Sequence, residues 1–241
     1  MPDDTGADAG HPSSSLDSAS TEILPGTITR VGPQRRARGR YAVEIDGRSG
    51  LTLAEEVLVR AGIAAGDQLD AETIARLLAE DEAARAIESA LAFVAYRPRS
   101  EREVRDRLRR GRYGQEATDH AIARLLDWRY LDDEEFARRW IENRSTNRPR
   151  GRRLLQQELR RKGIAAETAR EAVAEADLDE AAAAEALARR RIASYSGEDP
   201  AVVRRRLGDY LVRRGYGYDV VRAAVDRVMG EPDEDSDDSA E

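Results

Sequence analysis

Three stretches of the chain carry the same apolar pattern at steps of 51 and 52 residues, and this limits the possible folds more than any other feature. Val104, Leu155 and Leu207 align, and four residues on come Leu108, Leu159 and Leu211. Nine residues from the first anchor are Tyr113, Ile164 and Tyr216; eighteen residues from it are Ile122, Val173 and Val225. The i, i+4 pair defines one buried helix face. The third column sits beside a glycine in each copy (Gly114, Gly163, Gly215) and marks a turn, and the fourth belongs to the next helix. With one helix ahead of each pattern, a unit is three helices in roughly 50 residues, a period typical of helical repeat arrays. Four columns that align without an internal gap exceed what bundle-like leucine spacing gives by chance.

The repeats are expected at 81–131, 132–178 and 179–230. Ahead of them, 23–80 reads differently. GTITRV and RYAVEI alternate and favour β-branched residues, GPQRRARG connects them, and Asp46–Gly47 turns the chain toward SGLTL, a possible third short strand. This small β element with its helix is too short to be expected to stand alone. The segments 1–22 and 231–241 are polar, acidic and aperiodic, the composition of disordered tails.

Composition excludes several classes of function. Without cysteine there are no disulfides, thiol nucleophiles or Cys-ligated zinc sites. The longest apolar run, Ala90–Tyr96, is too short to span a membrane, and the N-terminal stretch lacks the basic and apolar parts of a secretory signal. A cytoplasmic location is expected. Residues 1–22 hold five acids and no Lys or Arg, and residues 231–241 hold seven acids and no base. Removing these twelve negative charges from the net −7 leaves residues 23–230 at +5. A basic body between acidic ends suits a polyanion partner. The C-terminal tail could also fold back and compete with DNA for the body.

The segment YLDDEEFARRWIENR (Tyr130–Arg144) bears on catalysis, because four acids in a row could hold a metal or move protons. They precede a helix whose apolar stripe is Phe136, Ala137, Trp140 and Ile141. There Asp132 can accept from unpaired N–H groups of the first turn, Glu135 completes a capping-box pattern, and the remaining acids face the positive end of the helix dipole. Successive helical carboxylates fan out by about 100° each and do not converge on an ion. SERE at Ser100 repeats this grammar, with Ser100 as N-cap and Glu103 at N3. No phosphate loop, nucleophile elbow, HExxH or GxGxxG is present, so neither an enzyme nor a metal or cofactor is expected.

RPRSEREVRDRL (Arg97–Leu108), YLDDEEFARRW (Tyr130–Trp140) and QELRRKGI (Gln157–Ile164) occur in this order. Together they resemble the RecX family, bacterial regulators of the recombinase RecA, over about Glu82 to Met229. The third repeat is the most divergent; the β element resembles an extension found in some members. The resemblance implies a mainly α fold: a tandem array of three three-helix repeats in an elongated curved arrangement, preceded by a small N-terminal β element. It also implies a protein that lies in the groove of the RecA–single-stranded DNA filament. There it would oppose extension, ATP hydrolysis, strand exchange and stimulation of repressor self-cleavage, functions tied to homologous recombination, DNA repair and the SOS response.

Two arginine columns are candidates for that contact. Arg102, Arg153 and Arg205 lie two residues before the first anchor, and Arg110, Arg161 and Arg213 lie six after it, all pointing away from the buried stripe. Eight residues on one helix span about 12 Å, a spacing compatible with phosphate contacts. Arginine is so frequent in these helices that about one such column is expected by chance, against two present. Lys162, beside Arg161, and the connector Arg35–Arg40, with Arg35 and Arg36 foremost, are further candidates. Trp128, Tyr130 and Trp140 adjoin apolar stripes and are expected to pack in the core or between repeats. With no sustained heptad and no symmetric patch, a monomer is expected. The alternatives are a helix-turn-helix regulator of duplex operators, or a helical scaffold that binds only protein.

Overall fold

The computed structural model describes residues 23–35 and 37–230. Arg36 and the two acidic tails, with the disorder expected of them, lie outside these residues. The chain divides into a unit ending at Asp81 and a helical unit beginning at Glu82.

The first unit holds strands β1 (Gly26–Pro33), β2 (Arg40–Ile45), β3 (Arg48–Ala54) and β4 (Gln68–Leu69), helix α1 (Glu55–Ala61), and the start of α2 (Ala71–Tyr96). The sheet is antiparallel in the order β3-β2-β1-β4. Asp46 and Gly47 both take positive φ, 47° and 74°, as a two-residue hairpin between twisted strands requires. Ile28, Val43, Leu51, Leu53 and Val57 form its core with Ile74 and Leu77 of α2. SGLTL lies in a full strand, whereas β4 has only two residues and no alternation to announce it. Asp81 is buried. Its carboxylate accepts from Arg40 at 2.6 and 3.0 Å and from the Ala54 N–H at 2.7 Å. A buried carboxylate requires such pairing, and it removes Arg40 from the basic connector as a free contact.

The helical unit contains three three-helix domains. The end of α2 packs with α3 (Glu101–Arg110) and α4 (Gln115–Asp127). Next come α5 (Asp133–Asn147), α6 (Arg152–Arg161) and α7 (Ala166–Glu175), then α8 (Glu180–Ile192), α9 (Pro200–Arg213) and α10 (Tyr218–Gly230). Each domain has its own apolar core. The aligned Val104, Leu155, Leu207, Leu108, Leu159 and Leu211 are all fully buried, and Ile122, Val173 and Val225 nearly so. In the third column Ile164 and Tyr216 are buried and Tyr113 is half-buried. Truncating any of these leucines to alanine would cost about 2–5 kcal/mol.

The middle helices α3, α6 and α9 end alike. The N–H of the third-column residue reaches back to the carbonyl of Leu108, Leu159 or Leu211, across a residue in the left-handed region. That residue is Gly163 in the second domain and Gly215 in the third, but Arg112, at φ 61°, in the first. Gly114 is instead the N-cap of α4, so the glycine aligned with repeat 1 is not the turn residue. Helix α9 begins one turn earlier than α3 and α6. Asp199 caps the N–H groups of Ala201 and Val202, and Pro200 opens the helix. Among the described residues no helix is long and apolar enough to cross a membrane.

Candidate nucleic-acid interface

The joints between domains fix where the candidate residues stand. Ser100, the N-cap of α3, forms the expected capping box with Glu103, and its hydroxyl donates to the Lys162 carbonyl of the second domain at 2.6 Å. One residue on, the Glu101 N–H donates to Asp133 Oδ1 at 3.0 Å. The next joint repeats both links at aligned positions. The Gly151 N–H donates to the Arg214 carbonyl at 2.9 Å, and the Arg152 N–H to Glu180 Oε1 at 2.9 Å. In each joint the first acid of one domain's leading helix satisfies the first orphan N–H of the previous domain's middle helix.

This divides the work of the four acids. Asp132 caps its own helix by accepting from the Glu135 N–H at 2.8 Å, as expected. Asp133 holds the joint, a role that sequence alone hides because its partner is 32 residues away. Burial pushes its carboxyl above the ordinary value despite the hydrogen bond. Glu135 does not complete a capping box; its carboxylate is taken by Arg138 and Arg139 at 3.1 and 2.7 Å. Among the described residues no group of three or more acids or histidines could hold a metal ion.

Arg102, Arg110, Arg153, Arg161, Arg205 and Arg213 are all exposed. Five other arginines on the same helices are engaged, Arg105 with Glu101 and Asp119, Arg109 with Asp106, Arg152 with Glu180, Arg204 with Asp226 and Arg206 with Glu198, whereas Arg107 and Arg160 have no carboxylate partner among the described residues. Among the described residues the column arginines have no carboxylate within 4 Å, except Arg102, whose nearest, Asp106, is 4.0 Å away. Arg35 is also exposed. Lys162 differs. Its ammonium is 2.8 Å from Glu103 across the first joint and lies near the Trp140 ring. Burial alone would raise the Glu103 carboxyl, but Lys162 and the Ser100 N–H hold it below the ordinary value.

Trp140 packs as expected, stacked on Phe136 with centroids 5.9 Å apart and donating to Glu158 at 3.1 Å. Trp128 and Tyr130 do not. They are 43% and 59% exposed, because Leu131 takes the buried position and Arg129, at φ 57°, swings the chain outward at the end of α4. The apolar stripe beside them suggested packing, but the left-handed arginine that reverses the pattern has no distinctive sequence signal.

Fold and joints define a class, the tandem helical-repeat proteins, in which each domain is sealed to the next by the same two links. Family models for the first, second and third three-helix domains of RecX match residues 86–125, 132–173 and 178–225. The chain belongs to the RecX family of regulatory proteins. It is 30% identical to regulatory protein RecX of Bacillus velezensis over 214 residues, 87% of this chain and 80% of that one. To its counterpart in Leuconostoc mesenteroides it is 26% identical over 209 residues, 86% of this chain and 78% of the relative. Both matches are longer than the 160 residues from Glu82 to the C-terminus, so they extend into the N-terminal unit. A crystal structure of regulatory protein RecX shares the fold at a TM-score of 0.71 and 23% identity, over 86% of this chain and all of the other. RecX from Lactobacillus salivarius gives 0.59 and 20%, over 63% and 99%.

Proposed function

We propose that this chain restrains the RecA–single-stranded DNA filament, acting by binding and not by catalysis, and that the two arginine columns contact the DNA phosphates. The observation that carries the DNA contact is exposure without an acid partner: all six column residues are exposed, and five have no carboxylate within ion-pair distance among the described residues, as also holds for Arg107 and Arg160 on the same helices but not for Arg105, Arg109, Arg152, Arg204 and Arg206. Unpaired guanidinium groups at equivalent places in successive domains offer a phosphate-spaced, sequence-independent surface. Family membership supports RecA as the partner. Lys162 has no part in this surface because Glu103 neutralises it.

The test is ATP hydrolysis by RecA on excess single-stranded DNA with the chain titrated in. Inhibition below one copy per RecA is expected; good DNA binding with no inhibition would defeat the reading. Replacing Arg153 and Arg161 together by Gln should lower DNA affinity about tenfold at low salt and flatten the salt dependence by up to two phosphate contacts. Removing residues 231–241 should tighten DNA binding at low salt, and the gain should vanish as ionic strength rises.

A further inference from the structure

An open cleft of about 380 Å³ lies between the end of α2 and the α4–α5 connection, within the helical unit. Its size falls in the roughly 300–1,000 Å³ range of small-ligand sites. Two tyrosines line it: Tyr96, 86% exposed, and Tyr130. The Trp128 ring meets Tyr130 edge-on, with centroids 6.5 Å apart. Arg97, Arg99, Arg129 and Arg139 also line it. Its two acids are already engaged, Asp132 by the Glu135 N–H and Glu135 by Arg138 and Arg139. The Arg99 guanidinium sits over the Phe93 ring, 3.9 Å from its centroid, and Arg97 leans on Glu103 at 3.3 Å.

Arg129 is the telling member. It occupies the left-handed position that closes α4, with the Tyr130 N–H reaching back to Leu125 and its own N–H to Leu126. Glycine takes that conformation at less cost. Among the described residues no carboxylate pairs with its guanidinium. A strained backbone thus presents an unpaired cation beside two solvent-facing rings.

We propose that this cleft seats one unstacked base of a single-stranded nucleic acid, with Tyr96 and Tyr130 as stacking faces and Arg129 on a flanking phosphate. Aromatic faces in a basic groove are how proteins hold single strands without reading sequence, and a duplex, its bases already stacked, offers nothing to such a seat. The lining cations favour a polyanion over a protein segment. The seat uses none of the column arginines, so it stands or falls separately from the reading above.

The test uses the full chain with two oligonucleotides of equal length, one normal and one carrying abasic sites. The wild type should prefer the normal strand. Replacing Tyr96 and Tyr130 together by Ala should weaken binding to the normal strand about 5- to 150-fold, the range for one stacked base. It should also abolish the preference over the abasic strand and leave the salt dependence unchanged; Phe at both positions should restore binding. Arg129→Gly should weaken binding without lowering the melting temperature. On the unaltered chain, photo-crosslinking of a halouracil-containing strand should mark Tyr96 or Tyr130, a readout that does not depend on any variant folding. Equal affinity of the wild type for both strands, crosslinks confined to other residues, or loss of filament binding by the Ala pair with DNA affinity intact would each overturn the seat. The arginine columns fail separately, by an unchanged salt slope in the Arg153/Arg161 variant.

Discussion

The two joints of the helical unit make one connection from different atoms. In the first, a side chain reaches across: the Ser100 hydroxyl meets the Lys162 carbonyl, and Lys162 pairs with Glu103. In the second, backbone meets backbone: the Gly151 N–H meets the Arg214 carbonyl, with no room for a side chain between. A Cβ at Gly151 would overlap the Gly215 backbone, and one at Gly215 would overlap Leu154. The acid-to-N–H link is common to both, through Asp133 and Glu180. The repeat therefore conserves which groups must be satisfied, not which residues satisfy them.

Exchanging the residues should expose the difference most strongly. Gly151→Ser should cost about 3 kcal/mol, since its Cβ meets backbone that cannot step aside. Ser100→Gly should cost less, about 1–2 kcal/mol, since glycine still serves as an N-cap and the hydroxyl's two hydrogen bonds, from the Glu103 N–H and to the Lys162 carbonyl, are lost. Urea unfolding followed by far-UV circular dichroism measures both; equal costs would mean that the joints are alike.

Acid should sharpen the contrast within the first joint. The Glu103 carboxyl is held below its unfolded value of 4.5, so its contribution is present above that pH and lost as pH falls through the folded value. Asp133 is raised, so its ionisation costs stability as pH rises through its folded value, and protonation relieves that cost. Between pH 7 and pH 3, Glu103→Gln should lose less thermal stability than the wild type, and Asp133→Asn should lose more. A common slope for all three proteins would remove these carboxyls from the account.

The smallest effect has the opposite sign. Tyr216 is buried near the second joint; burial pushes its phenol up to about 12, and its hydroxyl has no hydrogen-bond partner among the described residues. Tyr216→Phe should stabilise the chain by about 1 kcal/mol in urea. A loss instead would mean that the hydroxyl has a partner.

Much of this architecture was legible because it is local or periodic. The leucine columns, the Ser100 box, the Asp132 cap and the Asp46–Gly47 hairpin each follow from residues within one or two turns of each other. What was hidden depends on distant partners. Asp133 looked like one more first-turn acid, and Lys162 one more surface cation, until the neighbouring domain was in place. Trp128 and Tyr130 were misjudged because adjacency to an apolar stripe does not say on which side of a left-handed turn a ring emerges. Strand β4, two residues long, has no period to find.

Helix α9 departs from the pattern of the other two middle helices at its first residue. Where α3 and α6 offer a first N–H to the next domain's acid, α9 offers Pro200, which has no hydrogen to give, and Asp199 already occupies the following donors. The aligned residue, Arg204, lies inside the helix, where its amide is committed to the helical ladder. The acid-to-N–H latch that α3 and α6 each carry therefore has no counterpart on α9. One proline takes the hook off a helix that otherwise repeats the other two.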